Sequence, residues 1–178
     1  MKKLVVLALM IVCCVGLMAK ETLFLKLDKV TVNPKLKVDG KIGEDGVYAD
    51  ANLAISWAPQ TDGFSFELTN RSKTALVIQW EEVSFVNADN ISSRVVHSSS
   101  GKVLTVEPEA KTDGTVVPLE HLALGKKGWS VEPIYADRLS DEEFEAIKNK
   151  DLIYKVVIPI RKNNIKTTYT FVFKAFVE

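Results

Sequence analysis

The sequence predicts an all-β protein, an antiparallel β-sandwich carrying one short helix, and three observations carry that expectation. Residues Gly63 to Asn70 (GFSFELTN) alternate strictly, with Phe64, Phe66 and Leu68 on one side, the period-two signature of a half-buried strand. Short runs of this kind recur along the chain, separated by turn residues every ~8–12 positions, as in sandwiches and barrels. A single stretch, Ser140 to Lys150, carries helix chemistry instead.

In chain order, Leu23 to Leu27 and Leu36 to Val38 are candidate edge strands within a less regular opening segment. Gly63 to Asn70 leads through the turn Asn70-Arg71-Ser72-Lys73 into Ala75 to Trp80, where Leu76, Ile78 and Trp80 are in phase; the two runs read as an antiparallel hairpin. Val83 to Val86, Ser93 to His97, Val103 to Val106, Thr115 to Leu119 and Trp129 to Ile134 are further short strands. Asn87-Ala88-Asp89-Asn90 supplies a turn, because Asn and Asp tolerate left-handed backbone.

Ser140-Asp141-Glu142-Glu143 is a capping box, with Ser140 as the cap and Glu143 reaching back. Asp141 and Glu142 suit the positive end of the helix dipole. Phe144 and Ile147 share one face of the resulting helix over 141–149, which is expected to lie across an end of the sheets. Leu152 to Ile160 is apolar on both faces, which marks a central strand, and Pro159 marks an edge or a strand end. Lys162-Asn163-Asn164 turns the chain into Thr167 to Val177, where Tyr169, Phe171, Phe173 and Ala175 share a face and close a long hairpin.

The first nineteen residues carry an address rather than a chemistry. Lys2-Lys3, the apolar run Leu4 to Val12, and Ala19 ahead of the polar Lys20-Glu21 are laid out as a secretory signal peptide cut after Ala19. The apolar stretch is about 16 residues long, short of the roughly 20 that a membrane-spanning helix needs. A cut before Cys14 would instead attach a lipid and tether the protein to a membrane. Val12 and Cys13, however, stand where such a cut wants a small residue, and Val15 to Met18 remain largely apolar.

The expected organisation is a signal peptide over 1–19, an N-terminal segment over 20–51 with edge strands and an acidic glycine-rich loop, and a β-sandwich domain over 52–178. Export places the protein in the periplasm or outside the cell. Both cysteines precede the Ala19 cut, so the exported chain would carry no thiol nucleophile, disulfide or cysteine-held metal.

Among 178 residues, 23 Lys and Arg balance 23 Asp and Glu, so no basic face for nucleic acid is implied. With 47% apolar and 26% charged residues the chain has the composition of a folded protein. It contains no G-x-S-x-G elbow, Walker loop or dinucleotide fingerprint. No catalytic residue, metal or cofactor is expected.

From Phe64 to His97 the chain runs FSFELTN, ALVIQW, VSFV and SRVVH, and Gly128-Trp129 and YTFVF follow later. This succession resembles a group of small exported bacterial proteins, many of them lipoproteins, and the resemblance covers residues 60–178. It implies an immunoglobulin-like sandwich and no particular activity. The weak lipidation site at Cys14 is where this chain departs from that group.

Candidate site residues are few. His97 and His121 are the only histidines, without metal-ligand spacing, and a ring bonded to backbone is the expected role. Arg94 and His97, three apart in a strand, should point to opposite faces. Glu81 and Glu82, as neighbours, should do the same. Asp39 to Gly46, with Asp50 and Asn52 behind it, is acidic and glycine-rich but lacks the spacing of a calcium loop. Trp80 belongs to the core, Trp57 lies at a strand end, and Trp129, after the Gly125-Lys126-Lys127-Gly128 loop, is the tryptophan expected to be exposed.

These observations point to an exported, non-catalytic binding or interaction protein of the bacterial cell envelope. Its partner would be an envelope protein, a glycan or its own copies. Trp129, His97 and Lys127 are the candidate ligand-binding residues, and 98–102, 125–129 and 35–48 are the loops where function is expected. An envelope hydrolase would need His97 or His121 to meet carboxylates in a cleft. A strand-adding, chaperone-like subunit would need an open edge strand.

Overall fold

The computed structural model describes residues 22–35, 40–98, 101–126 and 128–178. The signal segment with Cys14, the candidate edge strand Leu36 to Val38, and Lys127 lie outside the described residues. The strands in chain order are β1 (Leu23–Asn33), β2 (Lys41–Ile42), β3 (Tyr48–Ala49), β4 (Leu53–Gln60), β5 (Gly63–Asn70), β6 (Leu76–Gln79) and β7 (Ser84–Val86). They continue with β8 (Ser92–His97), β9 (Val103–Val106), β10 (Lys111–Pro118), β11 (Leu122–Gly125), β12 (Gly128–Val131), β13 (Ile153–Lys162) and β14 (Ile165–Val177). One helix, α1 (Asp141–Ile147), and two 3-10 turns, Trp80–Glu82 and Leu119–His121, complete the described chain.

The all-β class with one short helix is what forms. Twelve strands join a hydrogen-bonded path, β1-β14-β13-β7-β8-β10-β5-β4-β3-β2, with β6 pairing with β13 and β9. This sheet curls into a nearly closed barrel, and β1 comes back into contact with β4. β8 turns one corner. Its residues 92–94 pair with β7 and its residues 95–97 with β10, so one strand serves both halves of the curled sheet.

Alternation decides what faces inward. Phe64, Phe66 and Leu68 of β5 are buried, as are Tyr169, Phe171 and Phe173 of β14. Each fully buried phenylalanine contributes about 1.5–3 kcal/mol relative to an exposed one. Trp57 sits within β4 rather than at a strand end, with ring centroids 5.5 Å from Phe66, 5.1 Å from Phe171 and 5.4 Å from Phe173. Leu53, Ile55 and Trp57 alternate with Ala54, Ser56 and Ala58 along β4, a strand pattern that Pro59 near its end obscures in the sequence.

β13 is central, with β14 along one side and β7 and β6 sharing the other. Pro159 therefore occupies the interior of a central strand, not an edge. It falls between the β7 pairings, which end at Val157, and the β6 pairings, which begin at Ile160. The 3-10 turn Trp80–Glu82 lifts the opposing chain away there, so the ladder on that side is already interrupted where proline stands. The β13–β14 turn uses Asn163 and Asn164 at φ 50° and 63°, the left-handed pair that a two-residue hairpin needs.

The capping box of α1 forms as expected. Glu143 N–H donates to Ser140 Oγ at 3.3 Å and Ser140 N–H donates to Glu143 Oε2 at 2.8 Å. The helix is shorter than expected, ending at Ile147. The preceding segment fixes its place: Ile134 and Leu139 are buried, Ile134 N–H donates to Thr61 O at 2.6 Å, and Leu23 N–H donates to Asp137 O at 2.9 Å. These bonds hold the segment across the end of the barrel where the β4–β5 turn and the start of β1 meet.

Candidate functional site

Two features stand out, an apolar hairpin and a cavity. The hairpin is β11–β12, a two-stranded sheet outside the main path. Its register pairs Leu124 with Trp129 and Gly125 with Gly128. Directly opposed residues share a face, and these two are 69% and 70% exposed. Val131, 37% exposed, follows on the Trp129 side of the alternation. Gly128 takes φ 110°, a conformation that lets the tip close. Lys126 is exposed at that tip. The hairpin is anchored at its base, where Glu132 N–H donates to His121 O at 2.7 Å. An isolated hairpin is marginal in water, and a solvent-facing Trp–Leu pair adds nothing to a folded core.

The cavity has a volume of about 530 Å³ and lies where β8 meets the Trp80–Glu82 turn. His97 stacks on Trp80 with centroids 4.1 Å apart and planes 16° apart. Trp80 is buried and His97 half-buried, so the imidazole is the outer ring of the stack. Burial holds the His97 pKa below the usual histidine value, opposed by a hydrogen bond with the Gly101 backbone. Arg94, Lys102 and Glu81 also line the cavity. Arg94 and His97 both border this space, at the corner where β8 changes partners between residues 94 and 95. Glu81 and Glu82 stand in the 3-10 turn rather than in a strand: Glu82 binds Arg161 Nη2 at 2.6 Å, which lowers its pKa, while Glu81 lines the cavity.

No family model, no curated protein and no solved structure matches this chain.

The remaining candidates are tied into structure. Asp50 is buried and accepts four bonds: from Asn52 N–H at 2.6 Å, Leu53 N–H at 3.0 Å, Tyr48 Oη at 3.2 Å and Tyr169 Oη at 3.0 Å. Asn52 Oδ1 accepts from Lys162 Nζ. Among the described residues, no group of three or more His, Cys, Asp or Glu is placed to hold a metal ion. His121 lies 3.8 Å from Glu120 and lines neither the His97 cavity nor the hairpin face. At the β1 end of the sheet, Lys26 and Lys29 are exposed and a bulge at Asp28 breaks the register, features that discourage a further strand. Among the described residues, no helix is long and apolar enough to cross a membrane.

Of the three predicted site residues, Trp129 stands on the hairpin, His97 in the cavity wall, and Lys127 outside the described residues. Lys102 falls within the predicted loop 98–102, whereas Leu124 and Arg94 were missed as site residues. Leu124 was missed because LALG is too short and too uniform to announce a strand. Arg94 was missed because its place beside the cavity depends on the corner at β8, which no local pattern announces.

Proposed function

We propose that this chain is an exported, non-catalytic interaction protein of the bacterial cell envelope that docks an envelope protein through the β11–β12 hairpin. The cross-strand pair Leu124–Trp129, 69% and 70% exposed on a sheet of its own, carries the reading. Export rests on the layout of residues 1–19, and an immunoglobulin-like sandwich rests on the strand pattern and the family resemblance. Tryptophan anchors dominate protein interfaces, with charged residues at the rim.

Lys126, beside the apolar pair, calls for an apolar recess with an acidic rim. A protein recess is favoured over a sugar because Leu124 extends the Trp129 surface with aliphatic area, whereas a sugar is recognised by the aromatic face alone.

The test passes the organism's own envelope fraction over immobilised wild-type protein, a Leu124→Ser/Trp129→Ser variant and a Lys126→Glu variant. The wild type is expected to retain a discrete protein that the double variant loses at unchanged melting temperature. The Lys126→Glu variant should retain less of it, and added salt should weaken retention. Equal retention by the double variant, or retention of carbohydrate alone, overturns the reading.

A further inference from the structure

We propose that the cavity beside His97 binds a small monoanionic ligand carrying a planar ring, a site separate from the docking hairpin. Its volume of about 530 Å³ lies within the roughly 300–1,000 Å³ range of small-molecule sites. The stack of His97 on buried Trp80 gives it a flat aromatic wall. The Trp80 indole N–H is itself buried without an acceptor among the described residues.

The charges around this wall are uneven. Arg94 and Lys102 line the cavity, and the side chain of neither makes an ion pair or hydrogen bond with any described residue. The paired cations of this fold, such as Arg161 with Glu82 and Lys174 with Asp151, are held elsewhere. Among the described residues, Glu81 is the one carboxylate in the lining. Two unpaired cations against one acid leave an excess positive charge, which favours a single carboxylate or phosphate ester over a cation. A ring lying on the outer face of His97 would place such a group within the reach of Arg94 and Lys102. The guanidinium of Arg94 is suited to hold it in two-pronged fashion. Leu119, also in the lining, supplies apolar contact for the ring.

The test titrates the purified protein with three probes sharing one ring: 1-naphthoate, 1-naphthylmethanol and 1-naphthylmethylamine. Binding is followed by the NMR signals of the Trp80 indole N–H and the His97 ring protons. 1-Naphthoate is expected to move both signals saturably and to bind about tenfold more tightly than either other probe. An Arg94→Gln/Lys102→Gln variant should lose that advantage while keeping a dispersed spectrum, since both side chains are exposed. A Leu124→Ser/Trp129→Ser variant should bind 1-naphthoate as the wild type does, which separates this site from the hairpin. The proposal is overturned if 1-naphthoate leaves the Trp80 and His97 signals unmoved. It is equally overturned if the amine binds as tightly, or if the double glutamine variant retains the full preference.

Discussion

Tyr169 donates its hydroxyl to Asp50 Oδ2 at 3.0 Å, joining β14 to the turn between β3 and β4. Both residues are buried, and Tyr48 donates to the same oxygen at 3.2 Å. The carboxylate is thus the point at which an early turn and the last strand are fastened together. Asp50→Ala would strand two backbone N–H groups and two hydroxyls, and should destabilise the fold by at least about 3 kcal/mol. Tyr169→Phe removes one bond while keeping the ring and should cost about 1 kcal/mol. Urea unfolding with an unchanged slope checks both values.

The same tyrosine sets an alkaline limit. Burial raises the Tyr169 pKa far above the ordinary phenol value, and the Asp50 charge pushes in the same direction. Burial also leads the upward shifts of Tyr154 and Tyr135. In the unfolded chain these phenols ionise near pH ~10 while the folded protein keeps them protonated. Stability from this source is therefore complete below about pH 10 and is lost as pH rises beyond it. Urea midpoints measured between about pH 8 and 11 should fall at the upper end, less steeply for Tyr169→Phe.

Asn70 offers a sharper substitution. Its Nδ2 donates to Thr74 O at 2.9 Å, Val106 O at 2.9 Å and Glu107 O at 3.1 Å, while Oδ1 accepts from Ser72 N–H and Oγ. Asn70→Asp keeps the shape but turns a donor into a charge facing three carbonyls. Because the residue is fully buried, the loss should reach about 3–5 kcal/mol, the scale of an uncompensated buried charge. The loss should shrink at acid pH, where the aspartate protonates. A thermal melt at neutral and acid pH reads both effects.

The elements that the sequence displays clearly are those whose local and global signals agree. β5 and β14 alternate over long runs, and the Ser140–Glu143 capping box is complete within four residues. Asn70, the final residue of the FSFELTN run, has a role visible only once β9 and the 72–74 turn close around it. The candidate site was half legible. Trp129 follows a Gly-Lys-Lys-Gly loop and reads as exposed from that alone. Its partner Leu124 depends on a four-residue strand with no alternating pattern. The cavity was hidden because its lining joins β8 to the Trp80–Glu82 turn and to Leu119, pieces distant in sequence that only the fold brings together. Pro159 misled for a related reason: the interruption it tolerates is made by a distant turn, Trp80–Glu82.

The hairpin tip can be disturbed without touching its apolar face. Gly128 holds φ 110°, and a Cβ added there would meet no atom within 4 Å. Gly128→Ala therefore acts through backbone strain alone, of order 1–3 kcal/mol, confined to β11 and β12. Hydrogen exchange should accelerate in residues 122–131 and stay unchanged in β13 and β14, and partner retention should weaken in parallel.

The docking claim is tested most directly by placing a photoreactive phenylalanine analogue at position 124 in the full chain and irradiating intact cells. A discrete protein adduct is predicted at position 124, with none when the analogue is moved to exposed Lys148 at the end of α1. An absence of any adduct at 124, or the same adduct from both positions, would contradict docking through the Leu124–Trp129 face.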